Sequence, residues 1–125
     1  MPRFLNLACL QTRPMPDFQS AIDEALPLAE SAVKGGAELL MLPEYCGGLK
    51  SEGAVLRPPA APSEAHPVIE SFQELARARS VWILAGSVAV KGPDGKIINR
   101  GYMIDDMGRV QGTYDKIHMF DIQLS

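Results

Sequence analysis

Two residues of opposite charge carry the clearest chemical signal in this sequence. Glu44 follows the apolar run Leu39–Leu42 and a proline, and Lys116 follows a later strand-like run. Because a charged group is costly to bury, a buried acid and a buried base on neighbouring strand ends indicate catalysis rather than packing. We therefore expect both side chains in an active site.

Each residue also has a purely structural interpretation. Glu44 could cap a turn or face solvent, and Lys116 could protect an edge strand from aggregation. The C-terminal edge of a parallel strand, where Glu44 lies, is however where open α/β sheets bind ligands. Lys116 and His118 share one strand face while Ile117 and Met119 share the other, and such a polar face often lines a site.

The cysteines do not supply a convincing nucleophile. Cys46 lies two residues after Glu44, but two glycines follow it and no helix N-terminus is predicted there to lower its pKa. We interpret Cys46 as a bystander and Cys9 as a small core residue. Their spacing fits neither a metal site nor a disulfide framework, which favours a reduced, cytoplasmic protein.

Composition excludes several classes of function. The 125 residues carry a net charge of −3 that is spread along the chain, so no basic footprint for nucleic acid exists. The apolar runs are too short to span a membrane, and no signal-peptide pattern follows the first residues. The length fits one domain covering residues 1–125.

The first part of the chain predicts a strand–helix–strand unit. Phe4–Leu10 is a nearly continuous apolar run, which predicts a strand buried on both faces. Asp17 can cap a helix whose apolar residues recur with a helical period as far as Val33. With Leu39–Leu42 as the second strand, the unit implies parallel pairing and a right-handed crossover.

The rest of the chain predicts a second helix and an antiparallel meander. Cys46–His66 lacks periodicity and should be irregular, whereas Pro67 suits the first position of a helix. Turn signals separate the strand-like runs Val81–Val90, Lys96–Asp105 and Arg109–Tyr114. The fold class is therefore α/β, with a mixed sheet that is parallel βαβαβ first and antiparallel later. Two helices can cover one sheet face, so the other needs a partner.

This combination resembles the nitrilase, or carbon–nitrogen hydrolase, superfamily. The lysine segment Tyr114–His118, which follows a meander, makes the match far more specific than Leu42-Pro43-Glu44 alone. The matching segments follow the expected order over nearly the whole chain. They are Leu5–Gln11, Ala37–Glu44, Ala85–Ser87 and Tyr114–His118.

The resemblance implies a four-layer α-β-β-α sandwich of which this chain is the N-terminal half, and a Glu–Lys–Cys triad. Glu44 would be the general base and Lys116 the stabiliser of the oxyanion, while the nucleophilic cysteine would lie beyond Ser125. Tyr45, Asp115 and His118 are candidate supporting residues. A thioester intermediate is implied, with no metal and no organic cofactor.

Substrate and assembly follow from the same resemblance. The lysine segment looks most like the amidase branch that acts on small ω-amides and deaminated glutathione, although nitrilases and carbamoyl-amide hydrolases stay open. A small-molecule amide substrate and a homo-oligomer are implied. The 125 residues alone are expected to hydrolyse no amide.

Two alternatives compete with this interpretation. A metal-dependent phosphoesterase of similar sandwich fold also ends an early strand with Glu, but a lysine does not suit a magnesium site built from oxygen ligands. A truncated, non-catalytic relative would explain the missing nucleophile.

Overall fold

A six-stranded mixed sheet organises residues 2–117, which are the part of the chain that the computed structural model describes. Its strands are β1 (Leu7–Cys9), β2 (Leu39–Leu42), β5 (Ala60–Pro62), β6 (Trp82–Lys91), β7 (Ile97–Ile104) and β8 (Val110–Asp115). A separate antiparallel hairpin contains β3 (Lys50–Glu52) and β4 (Val55–Arg57). The helices are α1 (Phe18–Lys34) and α2 (Pro67–Arg79), and a 3-10 turn at Ser63–Ala65 precedes α2.

Strands β2 and β8 both finish at the same end of the sheet. Its order is β1-β2-β6-β7-β8, with β5 pairing β6 beyond the end of β2. β1, β2 and β6 are parallel, whereas β6–β7 and β7–β8 are antiparallel. Because two antiparallel pairings reverse the direction twice, β8 runs the same way as β2. The predicted α/β class and mixed sheet are thus confirmed.

Both predicted helices form, and their ends follow local chemistry. The Asp17 side chain caps α1 by accepting a hydrogen bond from the Ser20 backbone N–H at 2.8 Å, and Gly35 ends the helix. Pro67 occupies the first turn of α2, where a missing N–H costs nothing. Helix α1 continues through Pro27.

The core lies between the helices and one face of the sheet. Leu40, Ile83 and Ile104 align across β2, β6 and β7, and each is fully buried. On the opposite face, Leu7 of β1 and Trp82 of β6 remain 51% and 40% exposed. This alternation of buried and exposed side chains confirms that, within residues 2–117, the helices cover one face of the sheet and leave an apolar face exposed.

Two expectations about individual segments were wrong. The run Phe4–Leu10 is not buried on both faces, since Phe4 is 84% exposed and β1 is an edge strand with one face uncovered. Cys46–His66 is not irregular throughout, because it contains the β3–β4 hairpin and β5. The hairpin strands are three residues each and wholly exposed, so apolar alternation could not reveal them.

Within residues 2–117, no helix is both long enough and apolar enough to cross a membrane.

Candidate active site

The turn after β2 crosses strand β6 and brings Glu44 with it. The backbone N–H of Tyr45 donates to Ser87 Oγ at 2.9 Å, and the N–H of Cys46 donates to the Ser87 carbonyl at 2.9 Å. Tyr45 adopts a left-handed conformation with φ of 55°, which is uncommon for a residue with a side chain. Two hydrogen bonds to one serine of β6 therefore hold the turn in this strained position.

Gly86 allows the turn to approach β6 closely. The β6–β7 pairing is irregular between Ala85 and Val88, which places Gly86 and Ser87 in a β-bulge. A Cβ atom on Gly86 would lie 2.5 Å from the Leu42 carbonyl oxygen and 2.6 Å from that of Pro43. Only a glycine lets the backbone before Glu44 pass at this distance.

Gly86→Ala should therefore lower the free energy of unfolding by about 1–3 kcal/mol, the usual range for overpacking. The matched control is Gly112→Ala in β8, because a Cβ there meets no atom within 4 Å. Urea denaturation of both variants measures the difference. Equal stability of the two variants would contradict the close approach.

Lys116 approaches Glu44 from the end of β8. Its backbone N–H donates to the Asn99 carbonyl at 2.9 Å, which extends the β7–β8 pairing past Asp115. Its ammonium Nζ lies 2.5 Å from Glu44 Oε1. The two residues that the sequence singled out are thus in direct contact.

The route to this contact differs from the expectation in two respects. The strands that carry Glu44 and Lys116 are not neighbours, since β6 and β7 lie between β2 and β8. They meet because the turn carries Glu44 across β6. Neither side chain is buried, with 48% of Glu44 and 35% of Lys116 exposed, because nothing in residues 2–117 covers this edge of the sheet.

Asn99 completes the cluster. This β7 residue is 1% exposed, and its side-chain amide donates to Glu44 Oε1 at 3.0 Å. Glu44, Asn99 and Lys116 line a cavity of about 420 Å³, together with Ser87 and Tyr114. The cavity size is in the range of small-molecule sites.

The ion pair sets the charge of the lysine. The hydrogen bond to Glu44 raises the pKa of Lys116 above its ordinary value and outweighs desolvation, which lowers it. Lys116 is therefore a protonated ammonium throughout the neutral range. The arrangement offers a carboxylate that can accept a proton and a cation that can stabilise an anion nearby.

The candidate supporting residues lie in different surroundings. Tyr45 belongs to the strained turn beside Glu44. The Asp115 carboxylate binds the Arg100 guanidinium through two contacts of 2.5 and 3.0 Å, which lowers the pKa of Asp115. His118 lies outside the described residues.

Neither cysteine of the chain is placed as a nucleophile. Cys46 is 4% exposed and its Sγ donates to the Ser87 carbonyl at 3.4 Å. Burial raises the pKa of the Cys46 thiol to about 12, so it carries almost no thiolate at neutral pH. Cys9 is exposed on edge strand β1, so its assignment to the core was wrong.

Metal ligation has no candidate group among residues 2–117, because no cluster of three or more His, Cys, Asp or Glu side chains occurs there.

Sequence reasoning missed Asn99 and the structural roles of Gly86 and Ser87. A glycine within an apolar strand signals a bulge or a close backbone approach, and that signal was available. Asn99 follows two isoleucines in a strand-like run, where a lone amide is the detectable irregularity. Its partner could not be predicted, because Glu44 reaches β7 only through the crossing turn.

Comparison with known proteins adds independent evidence. The family model "Carbon-nitrogen hydrolase" matches residues 6–125. A deaminated glutathione amidase of Synechocystis is 35% identical over 94% of this chain and 43% of its own length. The bovine protein of that name is 27% identical over 94% of this chain and 37% of its length.

Structural similarity to solved proteins covers as much of the chain as the sequence similarity does. An amidase of the nitrilase superfamily from Nesterenkonia AN1 has a TM-score of 0.74 and 22% identity, over 98% of this chain and 47% of the other. The chain thus spans less than half the length of the relatives it matches. The family match covers nearly every residue, including both members of the Glu44–Lys116 pair. The chain belongs to the carbon–nitrogen hydrolase family.

Proposed function

We propose that this chain supplies the general base and the oxyanion-stabilising cation of a cysteine-dependent amidase. The observation that carries the proposal is the contact between Glu44 Oε1 and Lys116 Nζ at the wall of an open cavity. An acid and a base in contact inside a cavity, rather than on a convex surface, favour catalysis over a surface salt bridge.

The proposed reaction has two halves. A cysteine thiol loses its proton to Glu44 as its sulfur bonds to the amide carbonyl carbon, and Lys116 stabilises the negative oxygen that forms. Glu44 returns the proton to the nitrogen, the carbon–nitrogen bond breaks, and ammonia or an amine leaves behind a thioester. Glu44 then takes a proton from water as the water oxygen bonds to the thioester carbonyl carbon. The carbon–sulfur bond breaks, Glu44 passes the proton to the leaving thiolate, and the carboxylic acid is released.

The nucleophile of this scheme comes from outside these 125 residues. The chain contains only Cys9 and Cys46, and the Cys46 thiol is buried with its pKa raised to about 12. We therefore propose that the nucleophilic cysteine lies downstream of Ser125, as the resemblance to the family implies. One structure of the Nesterenkonia amidase shows acrylamide added to its active-site cysteine, which supports thiol chemistry in this family.

The bare apolar face of the sheet supports the same view of a larger enzyme. Leu39, Met41 and Leu84 share this face with Trp82, and all four remain at least partly accessible. A second sheet packed there would complete the four-layer sandwich and close the cavity over Glu44. Homo-oligomeric assembly and a cytoplasmic location stay predictions.

For the substrate, we propose a small ω-amide of the deaminated-glutathione type. The Synechocystis relative carries the name deaminated glutathione amidase, and the proposal rests on that likeness. The cavity of about 420 Å³ is large enough for a small dicarboxylic monoamide.

The experiment is ammonia release by the full-length polypeptide on three panels: ω-amides, nitriles and N-carbamoyl amino acids. We expect preference for ω-amides, no loss of activity with a chelator, and no turnover by residues 1–125 alone. Preference for nitriles or carbamoyl compounds would contradict the amidase assignment. Activity lost with a chelator would favour a metal-dependent phosphoesterase, which none of the relatives described above supports.

A further inference from the structure

Asn99 is a buried amide that follows two apolar residues in the sequence. It comes after Ile97 and Ile98 on β7 and is paired in register with Ala89 of β6. Only 1% of its surface is exposed, although the Glu44 side chain that it contacts is 48% exposed. The donor of this hydrogen bond, Asn99, is thus buried in a strand, whereas its acceptor, Glu44, lies in the cavity.

The hydrogen bonds to Glu44 are unequal between its two oxygens. Asn99 Nδ2 and Lys116 Nζ both donate to Oε1, at 3.0 and 2.5 Å. From residues 2–117, Oε2 receives no hydrogen bond. One oxygen is therefore anchored at a fixed point, and the other is left to accept a proton.

Asn99 also holds the second member of the pair. Its backbone carbonyl accepts the N–H of Lys116 at 2.9 Å, so a single residue contacts Glu44 through its side chain and Lys116 through its main chain. One residue of β7 therefore contacts both the base and the cation, in addition to the Ser87 hydrogen bonds that hold the turn.

Stability does not account for the Asn99 side chain. Its Oδ1 is buried and has no hydrogen-bond partner among the described residues. An unpaired buried acceptor is destabilising, and an apolar side chain of similar size would avoid the penalty. An amide at this position, despite the destabilisation from its unpaired oxygen, indicates that its N–H groups serve to donate a hydrogen bond to Glu44.

We propose that Asn99 is a positioning residue that holds Glu44 by Oε1, so that Oε2 faces the reacting thiol. This rests on the proposed function of Glu44 as the general base. The amide suits the task because it donates to the ionised carboxylate and carries no charge that would compete with Lys116. Rotation of Glu44 about its last bond would otherwise exchange the two oxygens.

The first test replaces Asn99 by leucine in the full-length enzyme. Asn99→Leu keeps the approximate side-chain size but removes the donor, so kcat should fall about 100-fold, the loss typical of a misplaced catalytic group. KM should change little, and the unfolding midpoint should not fall. The matched control is Gln73→Leu, which removes a partly buried amide that donates to the Gly108 carbonyl at 3.0 Å, beyond the opposite end of β7 from Asn99. This control should lower stability and leave kcat unchanged.

The second variant, Asn99→Asp, has a readout in pH. The introduced carboxylate would repel Glu44 when ionised, whereas its protonated form could donate to Oε1 as the amide does. Activity of this variant should therefore peak at a more acidic pH than that of the unmodified enzyme. Lys116, Tyr45 and Tyr114 face the same region and are common to both enzymes. Arg100 directly follows Asn99 and Asp115 directly precedes Lys116, so the Arg100–Asp115 ion pair lies on the other face of the sheet.

The outcomes separate the inference from the proposed function. If the unmodified enzyme hydrolyses no amide, the proposed function fails. If it is active and Asn99→Leu retains its kcat, the positioning role fails. A lower unfolding midpoint for Asn99→Leu, or a pH profile of Asn99→Asp that parallels the unmodified one, would likewise overturn the inference.

Discussion

Replacing Glu44 by glutamine in the full-length enzyme should lower kcat/KM for amide hydrolysis by about 10³-fold, within the range for loss of a general base. Glutamine keeps the size of the side chain and can still accept a hydrogen bond at Oε1, but it cannot take a thiol proton. Both the formation and the hydrolysis of the thioester should slow. Fixed-time assays of ammonia release measure the change in kcat/KM.

The matched control for this variant is Glu52→Gln on the β3–β4 hairpin. Its side chain is 49% exposed and paired with Lys50, much as Glu44 is 48% exposed and paired with Lys116. An exposed ion pair contributes little, so the control should retain its activity. Comparable activity of the Glu44 and Glu52 variants would show that Glu44 is an ordinary surface carboxylate.

Lys116→Met should reduce kcat by about 10²–10³-fold, as removal of one oxyanion donor does. Methionine matches the length of the lysine stem but brings no charge to the tetrahedral intermediate. Because the interaction strengthens only as negative charge develops on the substrate oxygen, KM should change far less than kcat. Steady-state kinetics on the preferred ω-amide separate the two parameters.

Lys50→Met, which removes one of the two cationic partners of Glu52, is the corresponding surface control. The double variant Glu44→Gln with Lys116→Met offers a sharper criterion. Residues that act as one unit lose little more together than singly. Fully multiplicative losses would mean that base and cation act independently, against the contact seen here.

Much of the fold could be predicted because its signals are local. Asp17 at the helix start, Pro67 in the first turn of α2, and the turn residues of the meander each act on their immediate neighbours. Strand directions then followed from the α/β pattern. The same local reasoning placed Glu44 and Lys116 at strand ends.

The unpredicted features depend on contacts between distant segments. Strand β1 was expected to be buried, but burial requires a covering layer, and an apolar run cannot say whether that layer is present. The β3–β4 hairpin is short and exposed, and its six strand residues include Lys50, Glu52 and Arg57, so the strands show no apolar alternation. Its existence became evident only from the backbone pairing.

The site shows the same division. The sequence indicated Glu44 and Lys116, but their separation by two strands, and the crossing turn that reconciles it, required the structure. Gly86 permits that turn by lacking a Cβ, and Ser87 holds it by two hydrogen bonds. Asn99 then becomes significant only because the turn brings Glu44 to it.

Mass spectrometry of the full-length enzyme, quenched with acid during turnover of the preferred ω-amide, tests the central claim most directly. We expect an acyl group on a cysteine outside residues 1–125, formed far more slowly in the Glu44→Gln variant than in the unmodified enzyme when samples are quenched at successive times. An acyl group on Cys46, or an equal rate of acylation without the Glu44 carboxylate, would contradict the proposed chemistry.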